Sequence, residues 1–318
     1  MPNYDPKVTK LTGREIPVSA DEIARTIWLV KRFTSLTYIQ RMASLFFNFV
    51  AGYEEFAGRD PNSDQVGRFR ANLADFCTQQ AMLTDGIELI RRRRSLGYAK
   101  TLWGCFFKDL LVGRPAEFGS NFQDVGWQFY PNPSEGLFAW GEVAAKMAAN
   151  VDKTLRGLWA FPYAARPNDD RARPNDVLFP PISSIAPAPK PKGPSIKTGE
   201  RVPVSGIWMP ALPSGAPNYL WEGNNAWEGK RVSKQVDWPE VIDEEMPQAA
   251  RTLYEYTTEP TIWTLLWEDD RYKDGKIPDE EAIYLDATTE PPPWPPVVPP
   301  GGAKLKPPIF GPDGRRVG

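Results

Sequence analysis

The sequence predicts an α+β protein: an N-terminal helical bundle followed by a proline-rich C-terminal domain with a small twisted β-sheet. Three observations carry that reading. Residues 1–150 contain 7 prolines and residues 151–318 contain 27, and proline removes a backbone donor and breaks helix interiors, so only the front half suits long helices. Apolar residues in the front recur at helical spacing, whereas the back offers short alternating runs, RVPVSGIWM and TIWTLLW. Aromatics make up 12% of the 318 residues, enough large apolar surface to fill the cores of two domains. The expected divisions are a helical domain at 1–160, a proline-rich linker or strap at 161–197, a small α+β domain at 198–290 and an extended proline-rich tail at 291–318.

The first helix opens at Ser19, three residues before Glu22, which is the spacing of a capping box, and Asp21 and Glu22 suit the positive end of the helix dipole. Ile23, Ile27, Val30 and Phe33 recur along one face, and the pattern continues through Met42, Phe46 and Val50 to Gly52. A second helix is predicted from about 63 to 83 on Val66, Phe69, Leu73, Phe76 and Cys77, and a third from about 88 to 112. A fourth follows Pro133 and Ser134, using Leu137, Trp140, Val143, Met147, Val151 and Leu155. Four helices with polar connections predict an up-down arrangement. Beyond them, APAPKPKGP reads as extended polyproline II chain. The back domain is predicted to hold strands at RVPVSGIWM and at 261–267, with a short helix at 238–254 between them, opened by Pro239. Trp294 and Phe310 would anchor the tail.

The chain has no histidine. Imidazole is the one side chain that takes and gives a proton near neutrality without a perturbed pKa, and it is the commonest metal ligand. Ser-His-Asp and Cys-His nucleophile sites and His-ligated zinc or haem are thereby excluded. Binding, not catalysis, is the expectation, with no cofactor and no metal. Cys77 and Cys105 lie among apolar residues in segments read as helices and are expected to be buried free thiols. The N-terminus lacks the apolar run of a secretory signal, and the most apolar stretch, 36–51, is interrupted by Thr37, Gln40, Arg41 and Asn48. A soluble cytoplasmic protein that does not enter the membrane is expected.

Several segments resemble chemical motifs. Counting from Asp270 as position one, Asp274, Gly275, Ile277 and Glu281 fall at five, six, eight and twelve of a calcium loop, but Tyr272 stands at three and Lys273 adds positive charge. A hairpin turn at Asp274-Gly275 is the favoured reading, and no calcium is expected there. The run Arg91, Arg92, Arg93, Arg94 spreads around a helical turn and reads as a solvated face, so direct nucleic-acid binding is not expected. Glu244 and Glu245, Asp269 and Asp270, and the acids at 279–281 could serve glycoside chemistry beside tryptophan platforms, which makes a carbohydrate-binding or glycoside-acting protein the alternative reading.

Charge is distributed unevenly. Residues 1–165 carry 20 Lys and Arg against 17 Asp and Glu, a net of +3, whereas residues 166–318 carry 18 against 23, a net of −5. Residues 238–290 hold 15 Asp and Glu against 4 Lys and Arg, interleaved with Trp238, Tyr254, Tyr256, Trp263, Trp267, Tyr272 and Tyr284. An acidic surface with rigid aromatics suits capture of a basic protein, because charge speeds encounter and buried aromatics slow release. The predicted contact residues are Trp267, Glu268, Asp269, Asp270, Tyr272, Glu280 and Glu281.

Residues 198–223, TGERVPVSGIWMPALPSGAPNYLWEG, resemble bacterial polymorphic-toxin immunity proteins associated with type VI secretion, particularly immunity families 71 and 72. The matching positions are Gly199, Glu200, Val202, Pro203, Ser205, Gly206, Ile207 and Trp208, then Pro217, Asn218, Tyr219 and Leu220. TIWTLLWEDDRYKDG also looks like theirs. The resemblance implies a non-enzymatic protein that binds and neutralises a cognate secreted toxin in bacterial competition. An acidic face would suit a basic toxin, such as a nuclease.

Overall fold

The computed structural model describes residues 6–57, 66–93, 141, 143, 144, 147, 148, 150–162, 180–191, 193–237 and 252–285. Helices and strands are both present, as the α+β reading requires. The chain divides into two compact units, one built from 1–32 and 153–270, the other from 33–152 and 271–318. The boundary expected near 160 is therefore not where the chain separates: the two units interleave along the sequence.

The first unit contains two antiparallel sheets. Strand β1 (Lys7–Lys10) joins β5 (Gly229–Asp237) and β6 (Thr252–Glu259) in the order β1-β5-β6. The second sheet has the order β2-β7-β3-β4, from β2 (Ser195–Lys197), β3 (Gly206–Pro210), β4 (Asn218–Leu220) and β7 (Ile262–Glu268). Three expectations change here. The N-terminal segment supplies a strand, because Lys7 to Lys10 find partners at Lys234 to Asp237. Ser195, inside the expected linker, already belongs to the sheet. Residues 252–254 end the predicted helix at 238–254, but they open β6, where β-favouring Thr252, Tyr254, Tyr256, Thr257 and Thr258 outweigh the helical spacing of a few apolar residues. Residues 238–251, most of 161–179 and the tail with Trp294 and Phe310 lie outside the described residues.

One face of the second sheet holds a buried apolar core. Ile196, Val202, Trp208, Leu220, Ala226, Trp263 and Leu265 are buried together, and burying each large side chain contributes on the order of 2–3 kcal/mol. Glycine is required where β3 meets β7, since a Cβ on Gly206 would collide with the backbone carbonyl of Trp267. Strand β7 also carries one extra residue, Leu266: Trp208 pairs with Leu265 while its neighbour Ile207 pairs with Trp267. That bulge moves Trp267 from the Trp263 and Leu265 face to the row of Ile207 and Tyr219.

Helix α1 (Ala20–Phe33) begins as the sequence predicts: Glu22 N–H donates to Ser19 Oγ at 3.1 Å and Ser19 N–H donates to Glu22 Oε2 at 2.8 Å. It does not continue to Gly52. The chain breaks at Thr34 and Ser35, and a separate α2 (Leu36–Ala57) follows.

In the second unit, α2, α3 (Val66–Arg93) and helical residues between 141 and 152 pack together. Phe76 of α3 makes edge-to-face contacts with Phe46 and Phe49, with ring centroids 6.1 and 5.4 Å apart. Gly141 lies so close to Phe49 that an added Cβ would sit 2.9 Å from its ring. Helix α3 runs past Leu83, so the second and third predicted helices are continuous as far as Arg93. Cys77 is exposed on it, not buried, while Cys105 and Arg94 lie outside the described residues. Partial burial, and then the charge of Glu54, push the Cys77 thiol up from its ordinary pKa, which keeps it from being a reactive thiolate near neutrality. No helix among the described residues is long and apolar enough to cross a membrane.

Candidate interaction surface

The predicted contact residues divide between the two units. Trp267, Glu268, Asp269 and Asp270 belong to the first; Tyr272, Glu280 and Glu281 belong to the second.

In the first unit they form an acidic corner at the end of β7. Trp267 is half-buried, with Lys31 Nζ of α1 4.5 Å from its ring centroid, so cation–π attraction holds the amine on the indole. Asp269 is fixed from two sides: its N–H donates to Ser205 O at 2.9 Å, and Tyr219 Oη donates to its Oδ2 at 2.8 Å. Glu268 and Asp270, on either side of it, are exposed. The backbone of this corner is thus held in one geometry with two carboxylates presented to solvent.

The second-unit residues are employed differently. Tyr272 is 4% exposed and Glu281 fully buried. Tyr272 Oη donates to Glu281 Oε1 and accepts from Leu36 N–H at 2.7 Å, while Glu281 Oε2 accepts from Thr37 N–H at 3.0 Å. Arg271 donates to Thr34 Oγ1 at 2.8 Å and to Thr34 O at 3.3 Å, and its Nη1 lies 4.0 Å from Glu281 Oε1. Burial holds the Tyr272 hydroxyl well above the ordinary phenol range; Arg271 pulls the other way and Glu281 adds to the rise. The group closes the N-terminus of α2, where helical N–H groups lack intrahelical partners. Tyr272 and Glu281 are therefore not surface contacts, and of the three only Glu280 is exposed.

The same arrangement explains the segment at 270–281. The residue at position twelve, Glu281, spends its oxygens on Thr37 and Tyr272. Gly275 takes a left-handed φ of 79° and Asp274 Oδ1 accepts from Lys276 N–H at 2.9 Å, so a turn forms at Asp274-Gly275 as expected. It does not make a hairpin, because a 3-10 turn, Asp279–Ile283, follows in place of a strand.

Aromatics interleaved with the acids are mostly internal. Trp263, Tyr272 and Tyr284 are buried and Tyr254, Tyr256 and Trp267 half-buried. Tryptophan platforms for a sugar are correspondingly scarce: Trp28, Trp159, Trp208, Trp221 and Trp263 are buried, leaving Trp227 as the one exposed tryptophan among the described residues. Arg91, the first of the arginine run, is half-buried, and Gln40, with its amide oxygen turned toward α3, accepts from its Nη2 at 2.6 Å.

The phrase at 199–220 builds the fold. Gly199 makes a left-handed turn, and Glu200 Oε2 accepts from Lys197 N–H at 2.8 Å. Val202, Ile207, Trp208, Tyr219 and Leu220 are buried. Asn218 accepts from Trp159 N–H at 2.9 Å and donates to Trp159 O at 3.0 Å, pairing β4 with the chain after the fourth helical stretch. The phrase meets the acidic corner through the hydrogen bonds of Tyr219 and Ser205 to Asp269 and through the pairing of Gly206 and Ile207 with Glu268 and Trp267. No family model matches the chain, and neither a curated protein nor a solved structure matches it.

Proposed function

We propose that this chain is a non-enzymatic immunity protein that binds and neutralises a cognate secreted antibacterial toxin, receiving a basic toxin surface, such as that of a nuclease, on the acidic corner of β7. The reading is supported by the likeness of residues 199–220 to immunity families 71 and 72. The structural observation that carries it is the preordering of Asp269 by Tyr219 and Ser205, with Glu268 and Asp270 exposed beside it. A carboxylate held in place costs little conformational entropy on binding, and exposed acids beside it steer a cationic partner. The test is co-expression with the toxin encoded beside this gene: growth is restored if the chain neutralises it, and continued killing by a well-expressed chain contradicts the reading.

A further inference from the structure

The proline-rich chain ahead of β2 belongs to the first unit and is a second surface, apart from the acidic corner. Residues 186–191, Ala-Pro-Ala-Pro-Lys-Pro, are neither helix nor strand, and among the described residues none of them joins a backbone hydrogen bond. Their path is nonetheless dictated: each proline fixes its own φ, and each residue before a proline is pushed to extended backbone, which makes polyproline II. That helix has three residues per turn, and burial follows the same period. Ile182 is half-buried, Ile185 buried and Ala188 half-buried, whereas Ala186, Pro187, Pro189, Lys190 and Pro191 are exposed. One ridge therefore faces inward, and two face solvent, carrying Ala186 with Pro189 and Pro187 with Lys190. Both ends are fixed. Ser184 N–H donates to Pro181 O at 2.9 Å and Ile185 N–H to Ile182 O at 3.1 Å. At the other end a Cβ on Gly193 would stand 2.5 Å from Leu265 Cβ, and Pro194 O accepts from Leu265 N–H at 3.2 Å.

We propose that residues 186–191 are the docking ligand for a partner domain with an aromatic-lined groove and an acidic rim. Pro187 enters a slot between two aromatic rings, and Lys190, one turn or about 9 Å further along the same ridge, meets a carboxylate. The charge fits such a rim, since residues 180–197 hold three lysines and no Asp or Glu. Spacing selects the groove. Pro187, Pro189 and Pro191 recur every second residue, so no two of them stand one turn apart, and a slot for a single proline, as in WW domains, fits better than a groove that reads P-x-x-P. The P-x-x-P pair that does occur, Pro191 and Pro194, spans Gly193, where the chain turns in against Leu265. A pinned, already extended chain loses little conformational entropy on docking. The inference stands independently of the immunity reading.

Calorimetric titration of the intact chain tests it, with a panel of purified WW domains that carry acidic rims and a panel of purified SH3 domains as probes. The expected result is saturable binding of a WW domain, weakened about fivefold or more by Pro187→Ala with Pro189→Ala, and about threefold or more by Lys190→Glu. Both variants should melt within a few degrees of wild type, because the altered side chains are exposed, which separates lost binding from lost folding. Binding of no WW domain, binding unchanged in the variants, or tighter binding of the SH3 domains would overturn the proposal.

Discussion

The carboxylate of Glu281 accepts the backbone N–H of Thr37 across 244 residues of chain, at 3.0 Å. With Tyr272 on Leu36 N–H, it adds partners for the first N–H groups of α2 beside the local cap, where Ser35 Oγ accepts from Tyr38 N–H at 3.2 Å. Glu281→Gln should therefore destabilise the protein by about 3 kcal/mol, because Arg271 and Tyr272 remain buried around it, and Tyr272→Phe by about 1–2 kcal/mol. Urea unfolding of both single variants and the double variant checks this, and the two losses should fail to add, since the groups share one hydrogen bond.

Gly206→Ala should cost more than an ordinary surface change, on the order of 2–4 kcal/mol, because the new methyl meets backbone at Trp267 and not a side chain that can turn away. Gly199→Ala, with open space but a φ of 86°, should lose only about 1 kcal/mol. Thermal melting of the pair separates steric from conformational need for glycine.

Stability should rise with pH through the titration of Lys153. Its folded pKa of about 8 lies below the ordinary 10.5, so between those values the unfolded chain binds more protons than the folded one. The cost of a charged, buried Lys153, roughly 3 kcal/mol at neutral pH, is fully present below about 8 and is relieved by about 10.5. Lys153→Met should be more stable than wild type at pH 7, with the difference shrinking by pH 10 in denaturant titrations.

Local signals in the sequence reached the structure where the partners are neighbours. Ser19 and Glu22 announce the start of α1 because the capping box closes within one turn. Ser35 caps the next helix locally, its Oγ accepting from Tyr38 N–H at 3.2 Å, but the groups that take the N–H of Leu36 and Thr37 belong to Tyr272 and Glu281 and leave no mark beside them in the sequence. The four residues of β1 are too few to show a period, and their partners lie in β5. Trp267 was legible as an aromatic beside acids, but the bulge at Leu266 that sets its face depends on pairing with Ile207 and Trp208. Glu281 carries no sequence mark that separates it from Glu280, yet one is buried and the other exposed.

The acidic corner makes a kinetic prediction. Glu268→Lys with Asp270→Lys should slow toxin association several-fold at low salt and change dissociation less, because exposed charges act mainly on encounter. Tyr219→Phe, which removes the hydroxyl that donates to Asp269 Oδ2, should raise the dissociation rate by about two- to fivefold. Surface-immobilised kinetics at two salt concentrations, beside melting curves for each variant, distinguish these effects.

The central claim is met most directly by titrating the purified chain into the purified toxin encoded beside it while following the toxin's own activity. The account predicts loss of activity that is complete near one equivalent, with a complex that survives gel filtration. Full toxin activity in the presence of excess folded chain, with no complex recovered, would contradict it.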